Sequence, residues 1–128
     1  MVQDPEDDYT TYAKAVAQAV LQNPAEFKGI VICGSGIGVS MMANRFKGIR
    51  AGLCQSPEAA KHGRANDDIN VLALASSYNT TEEAEQIVDA FLNTSFTQKE
   101  KYLRRSRELD EAVAHGPSDT STTLMDSP

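Results

Sequence analysis

The segment Cys33-Gly34-Ser35-Gly36-Ile37-Gly38-Val39-Ser40 constrains this chain more than any other. It follows Gly29-Ile30-Val31-Ile32-Cys33, a short β-branched run that reads as a strand buried on both faces. It opens onto a helix expected from about Val39 to Arg45. Glycines at a strand-to-helix turn permit positive φ and close backbone approach. Exposed amides and the helix dipole then favour an anion at that turn. A plainer account also fits, in which small residues simply allow a tight turn. The spacing matches neither the dinucleotide fingerprint Gly-x-Gly-x-x-Gly nor a Walker A loop, which needs Gly-Lys-Ser/Thr.

The rest of the chain repeats the same alternation. An apolar helical pattern runs from Tyr12 to Leu21 and stops at Asn23-Pro24. Ile49 to Cys54 is a second strand candidate. Ser56 and Pro57 fit the N-cap and first position of a helix reaching about Arg64. Asn70 to Ala75 reads as a third buried strand. Thr80 or Thr81 caps a helix through Leu92, with acids in its first turn. A last, highly charged helix is expected over Lys99 to Val113. Strand and helix alternation of this kind signals βαβ units and a parallel sheet covered by helices. The expected fold is therefore α/β, a Rossmann-like three-layer αβα arrangement. Ligands of such sheets lie beyond the carboxyl ends of the strands, here after Cys33, Cys54 and Ala75. Residues 1–114 form the expected domain, and the Gly/Pro/Ser/Thr/Asp-rich stretch 115–128 reads as a disordered tail.

Composition narrows the function classes. The chain has 128 residues, enough for one domain, and is 41% hydrophobic, which suits a packed core. No apolar run approaches the roughly 20 residues of a membrane helix. Acidic residues follow Met1, so no secretory signal is visible. The two Cys make no disulfide framework, and a reduced, cytoplasmic setting follows. A net charge of −6 speaks against nucleic acid as the main partner. Bases nevertheless concentrate in Lys99, Lys101, Arg104, Arg105 and Arg107. They fit either a solvated helix face with spaced ion pairs or an anion site for a phosphorylated ligand. His62 and His115 lack metal-ligand spacing with the cysteines, so no zinc site is expected.

Cys33 has two readings. A thiol near a helix N-terminus has its pKa lowered and can act as base or nucleophile. A Cys can equally serve as a small buried hydrophobe. Cys54 ends a similar strand without glycines, and the structural reading suits it better.

Taken together, Ile32 to Ser40, Ala43 to Ala51, Asn70-Val71-Leu72-Ala73, Ile87 to Leu92 and Tyr9-Thr10-Thr11-Tyr12-Ala13 resemble the ribose-5-phosphate isomerase B and galactose-6-phosphate isomerase family. The resemblance covers about residues 8–112. It implies an aldose–ketose isomerase that interconverts ribose 5-phosphate and ribulose 5-phosphate through a cis-enediolate without metal or cofactor, in the pentose phosphate pathway. It implies Cys33 as the base and Ser35 as the residue assisting proton transfer. Gly34, Gly36, Ile37, Gly38 and Ser40 would supply the anion hole for the enediolate. Tyr9 would line the site, and Lys101 and Arg105 would hold phosphate, the first of these being Arg in most members. It also implies a homodimer, or a pairing with a related subunit, with active sites between subunits.

Three departures from the family pattern stand out. The family's His-Asn pair before the third strand is Asn66-Asp67 here, so the imidazole credited with ring opening is absent. His62, four residues earlier, would share a helix face with Asn66 if that helix continues. The family's opening strand, helix and second strand, roughly 30 residues, have no counterpart in this sequence. Thr10 replaces the family Pro. The expected sheet thus has three parallel strands, at most four, with the Gly29–Cys33 edge exposed or covered by a partner. The alternative function is a non-catalytic phosphosugar-binding or assembly subunit of the same family.

Overall fold

A computed structural model describes residues 8–112. The elements, in order, are α1 (Tyr9–Gln22), β1 (Gly29–Cys33), α2 (Ile37–Ala43), β2 (Ala51–Leu53), α3 (Pro57–Asp67), β3 (Val71–Ala75), α4 (Thr81–Asn93) and α5 (Glu100–Glu111). The tail at 115–128 lies outside the described residues.

The three strands form one parallel sheet in the order β1-β3-β2. β3 is central and buried along its whole length, which its Val71-Leu72-Ala73-Leu74-Ala75 sequence requires. Its side chains divide the core. Val71 and Ala73 pack with Ala13, Ala17 and Val20 of α1 and Val39 and Ala43 of α2. Leu72 and Leu74 pack on the other face with Ala60 of α3 and Ile87, Ala90 and Phe91 of α4. The crossover from β1 to β2 and the return to β3 travel in opposite directions. Right-handed connections must then put their helices on opposite faces, and α2 and α3 do lie on opposite faces.

Several element limits differ from the sequence-based expectation. α1 starts three residues earlier, at Tyr9. α2 starts at Ile37 because Gly36 adopts φ 74° and turns the chain directly into the helix. It stops at Ala43 because Asn44 is captured by β2: its Nδ2 donates to Ala51 O at 3.0 Å, and Ala51 N–H donates to its Oδ1 at 2.7 Å. β2 is shorter than Ile49–Cys54 because Arg50 N–H donates to the Asn70 side chain at 2.7 Å and Ile49 N–H closes a turn onto Phe46 O. α3 continues past Arg64 to Asp67, where Asp68 at φ 51° and ψ 45° ends it.

β1 is an edge strand whose described partner is β3 alone. Gly29 N–H donates to Asn70 O and Cys33 O accepts from Ser76 N–H, so alternate residues turn their amides toward β3. The groups of Ile30 and Ile32 consequently face away from the sheet. These two residues are 36% and 58% exposed, and Phe27 and Leu92 lie beside Ile30 and extend the apolar strip.

Candidate active site

Topology alone locates a crevice. β1 leads into α2 on one face, and its neighbour β3 leads into α4 on the other. Beyond the carboxyl ends of these two strands the connections diverge, and ligands of open α/β sheets bind at such a point. Of the three expected strand ends, those of Cys33 and Ala75 lie here, and that of Cys54 does not. Cys54 is buried in the core between α3 and α4, and burial raises its pKa.

Local geometry organises the loop around the Cys33 sulfur. Gly36 N–H donates to Cys33 Sγ at 3.2 Å. Only glycine serves at position 36: its φ is positive, and a Cβ would strike a Leu53 methyl carbon and come within 3.1 Å of Leu74 O. Ile37 N–H donates to Ser35 Oγ at 3.2 Å, which holds the hydroxyl beside the thiol. Burial is the largest single influence on Cys33 and raises its pKa. The amides of Val39, Gly36 and Ser35 and the Ser35 hydroxyl together outweigh it, and the thiol is held below its ordinary value. Ser40 N–H closes the first helical turn onto Gly36 O at 3.3 Å. Gly38 N–H lies in that first turn, where no intrahelical acceptor is available.

Two further groups border the loop. The Tyr9 ring covers Gly38, so closely that a Cβ there would lie 2.5 Å from Tyr9 Cζ. Ser76 and Ser77, after β3, tie the loop down: Ser76 Oγ donates to Cys33 O at 3.3 Å and Ser77 N–H donates to Gly34 O at 2.9 Å. Neither serine belongs to a recognisable motif, and only the parallel pairing of β1 and β3 brings them to the site.

The remaining candidates gather elsewhere. Asn66 and Asp67 close α3 at the amino end of β3. His62 does share their face: its Nδ1 is 3.2 Å from Asn66 Nδ2 and its Nε2 4.0 Å from Asp67. Lys101 and Arg105 are exposed on α5. That helix is tied near its start, where Thr97 N–H donates to Ala65 O, and near its end, where Asp110 pairs with Arg50 just before β2. Both ties lie at the amino edge of the sheet. A strand length of roughly 16 Å separates that edge from the glycine loop. One chain therefore assembles Cys33, Ser35, the glycine loop and Tyr9 at one end, and Asn66, Asp67, Lys101 and Arg105 at the other.

Among the described residues no group of three or more His, Cys, Asp and Glu could hold a metal ion. No described helix is long and apolar enough to cross a membrane.

This fold and its Cys-Gly-rich turn are those of sugar-phosphate isomerases of the Ribose/Galactose Isomerase family, whose profile matches residues 1–109; the chain belongs to that family. It is 47% identical over 112 residues to the probable ribose-5-phosphate isomerase B of Mycoplasma pneumoniae, covering 88% of this chain and 70% of that one. Over 89 residues it is 45% identical to ribose-5-phosphate isomerase B of Escherichia coli, covering 59% of that protein. The solved ribose 5-phosphate isomerase of Thermotoga maritima matches with a TM-score of 0.80 at 42% identity, covering 88% of this chain and 76% of that one. Ribose-5-phosphate isomerase B from Mycoplasma genitalium, solved with bound ribulose-5-phosphate, matches with a TM-score of 0.81 at 39% identity, covering 85% of this chain and 71% of that one.

Proposed function

We propose that the chain is an aldose–ketose isomerase acting in the cytoplasm on ribose 5-phosphate and ribulose 5-phosphate. The observation that carries this is the Cys33 thiol, held below its ordinary pKa at the end of β1 by amides of the loop and by Ser35. A thiolate there is a base of suitable strength to take the proton from C2 of the opened aldose. Returning that proton to C1 of the cis-enediolate gives the ketose, and Ser35 assists the accompanying transfer between the substrate oxygens. Charge develops on those oxygens, and the preorganised amides of Gly34 to Ser40 stabilise it without reorganising. Loss of one such donor typically costs ~10²–10³-fold in rate.

The site needs a second chain. With the loop at one end of the sheet and Lys101 and Arg105 at the other, phosphate and reacting carbons meet only where two subunits face each other in opposite directions. A symmetric dimer satisfies this twice over. Lys101 supplies charge to the phosphate and Arg105 a bidentate fork.

A coupled assay with ribose 5-phosphate tests the proposal: turnover well above a Cys33→Ala control supports it, and activity no greater than the control overturns it. One observation favours a second reading, a phosphosugar-binding subunit without turnover. Asn66 offers no titratable group for ring opening, and the neighbouring His62 is exposed. Calorimetric titration with ribose 5-phosphate showing binding, in protein without turnover, would decide for that reading.

A further inference from the structure

α5 has no fully buried residue, and hydrogen bonds at Thr97 and Asp110 tie it to the rest of the fold. Asp110, in its last turn, accepts two hydrogen bonds from Arg50 Nη1, at 2.9 and 3.0 Å. Arg50 is itself immobilised. Its Nε donates to Asp68 O at 2.8 Å, its Nη2 to Asp68 Oδ2 at 3.2 Å, and its N–H to Asn70 Oδ1 at 2.7 Å. Asp68 is gripped from its other oxygen by the buried Arg64, at 2.9 Å. A continuous chain of charged hydrogen bonds therefore runs from the end of α3 and the start of β2 to the end of α5. The Arg50 side chain is only 14% exposed, so solvent screens this pair less than an ordinary surface pair. Arg50 can serve both acids at once because its planar fork presents separate edges, which a lysine cannot do.

We propose that Arg50 and Asp110 are positioning residues for the phosphate subsite: the Asp68–Arg50–Asp110 chain fixes the carboxyl end of α5 and so the direction in which Lys101 and Arg105 present their charges. This rests on the assignment of Lys101 and Arg105 to the phosphate. Arg105 precedes Asp110 by five residues, about 7.5 Å along the helix. A tilt at the Arg50 contact is therefore passed on to the basic pair, and misplacement by about 1 Å can cost as much as 10²-fold.

The test compares the full wild-type chain with Asp110→Asn and Asp110→Glu by titration with inorganic phosphate, by kcat and KM for ribose 5-phosphate, and by thermal midpoint. Asp110→Asn is expected to weaken phosphate binding and raise KM, each roughly tenfold, with kcat little changed, and Asp110→Glu to restore most of both. Equal phosphate affinity in Asp110→Asn and wild type, with or without a lowered midpoint, overturns the inference and leaves a structural brace. A wild type that binds no inorganic phosphate also overturns it. An inactive wild type whose phosphate binding still depends on Asp110 would sink the isomerase activity alone and leave this inference standing. Should Asp110→Asn fail to fold, Arg50→Lys is read in the same way, with the same weakening expected and unchanged affinity again overturning the idea.

Discussion

Cys33 and Gly36 show how much of the site is written in adjacent residues. The sulfur, its amide donor and the hydroxyl beside it lie within four consecutive positions, so the motif was legible before any fold was known. The lowered Cys33 pKa means more thiolate at a given pH; with Cys33 as the proposed base, the acidic limb of kcat/KM is expected to fall below the ordinary thiol range. Ser35→Ala removes one stabilising donor. We expect it to move that limb to higher pH and to slow alkylation of Cys33 near neutrality, both measurable against pH. Gly36→Ala forces a side chain into left-handed backbone and against Leu53. It should cost at least about 1–3 kcal/mol in chemical denaturation. Arg50 and Asp110, by contrast, were indistinguishable in sequence from other surface charges. Sixty positions separate them, and only tertiary folding makes them partners.

At the scale of elements, every expected helix and strand is present, and the errors lie at the boundaries. Two of them share a cause: side chains that bond across the fold override local propensity. Asn44 ends α2 because β2 is there to receive it, and Arg64 does not end α3 because its guanidinium reaches Asp68, Ile69 O and Thr94 O. Where the signal is purely local the reading holds. The Thr80 cap of α4 is a complete capping box, with Glu83 N–H donating to Thr80 Oγ1 at 3.1 Å and Thr80 N–H to Glu83 Oε1 at 2.9 Å. Thr80→Ala should lower stability by about 1 kcal/mol. The Thr80 amide, and after it the hydroxyl, hold the Glu83 carboxyl below the usual carboxylate range. A group with a depressed folded pKa stabilises above its unfolded value and loses that contribution as pH falls through the folded one. The penalty of Thr80→Ala is therefore expected to shrink in acid, as urea unfolding at neutral and low pH would show.

On the scale of the whole molecule, the parallel sheet and its three strands were foreseeable from alternation; the β1 edge, open among the described residues, was foreseeable only from the resemblance to the family pattern. The separation of the candidate residues was not. Sequence order says nothing about which end of a sheet a helix terminus reaches, and the opposed placement of Cys33 and Lys101 emerges only from the strand order and the ties of α5. That placement makes a genetic-style test possible. Cys33→Ala and a Lys101→Ala/Arg105→Ala double variant should each be inactive alone. Co-refolded in equal amounts, they form mixed dimers with one intact site, and about a quarter of wild-type activity should return. Persistent inactivity in verified mixed dimers would refute the shared site. A site shared between two subunits in the proposed way also couples output to abundance. Where chains are scarce relative to their dimer dissociation constant, the paired fraction rises in proportion to concentration, so total flux climbs as its square. For such a shared site, doubling the expression of a scarce chain is expected to raise turnover fourfold, a steepness that needs no regulatory ligand.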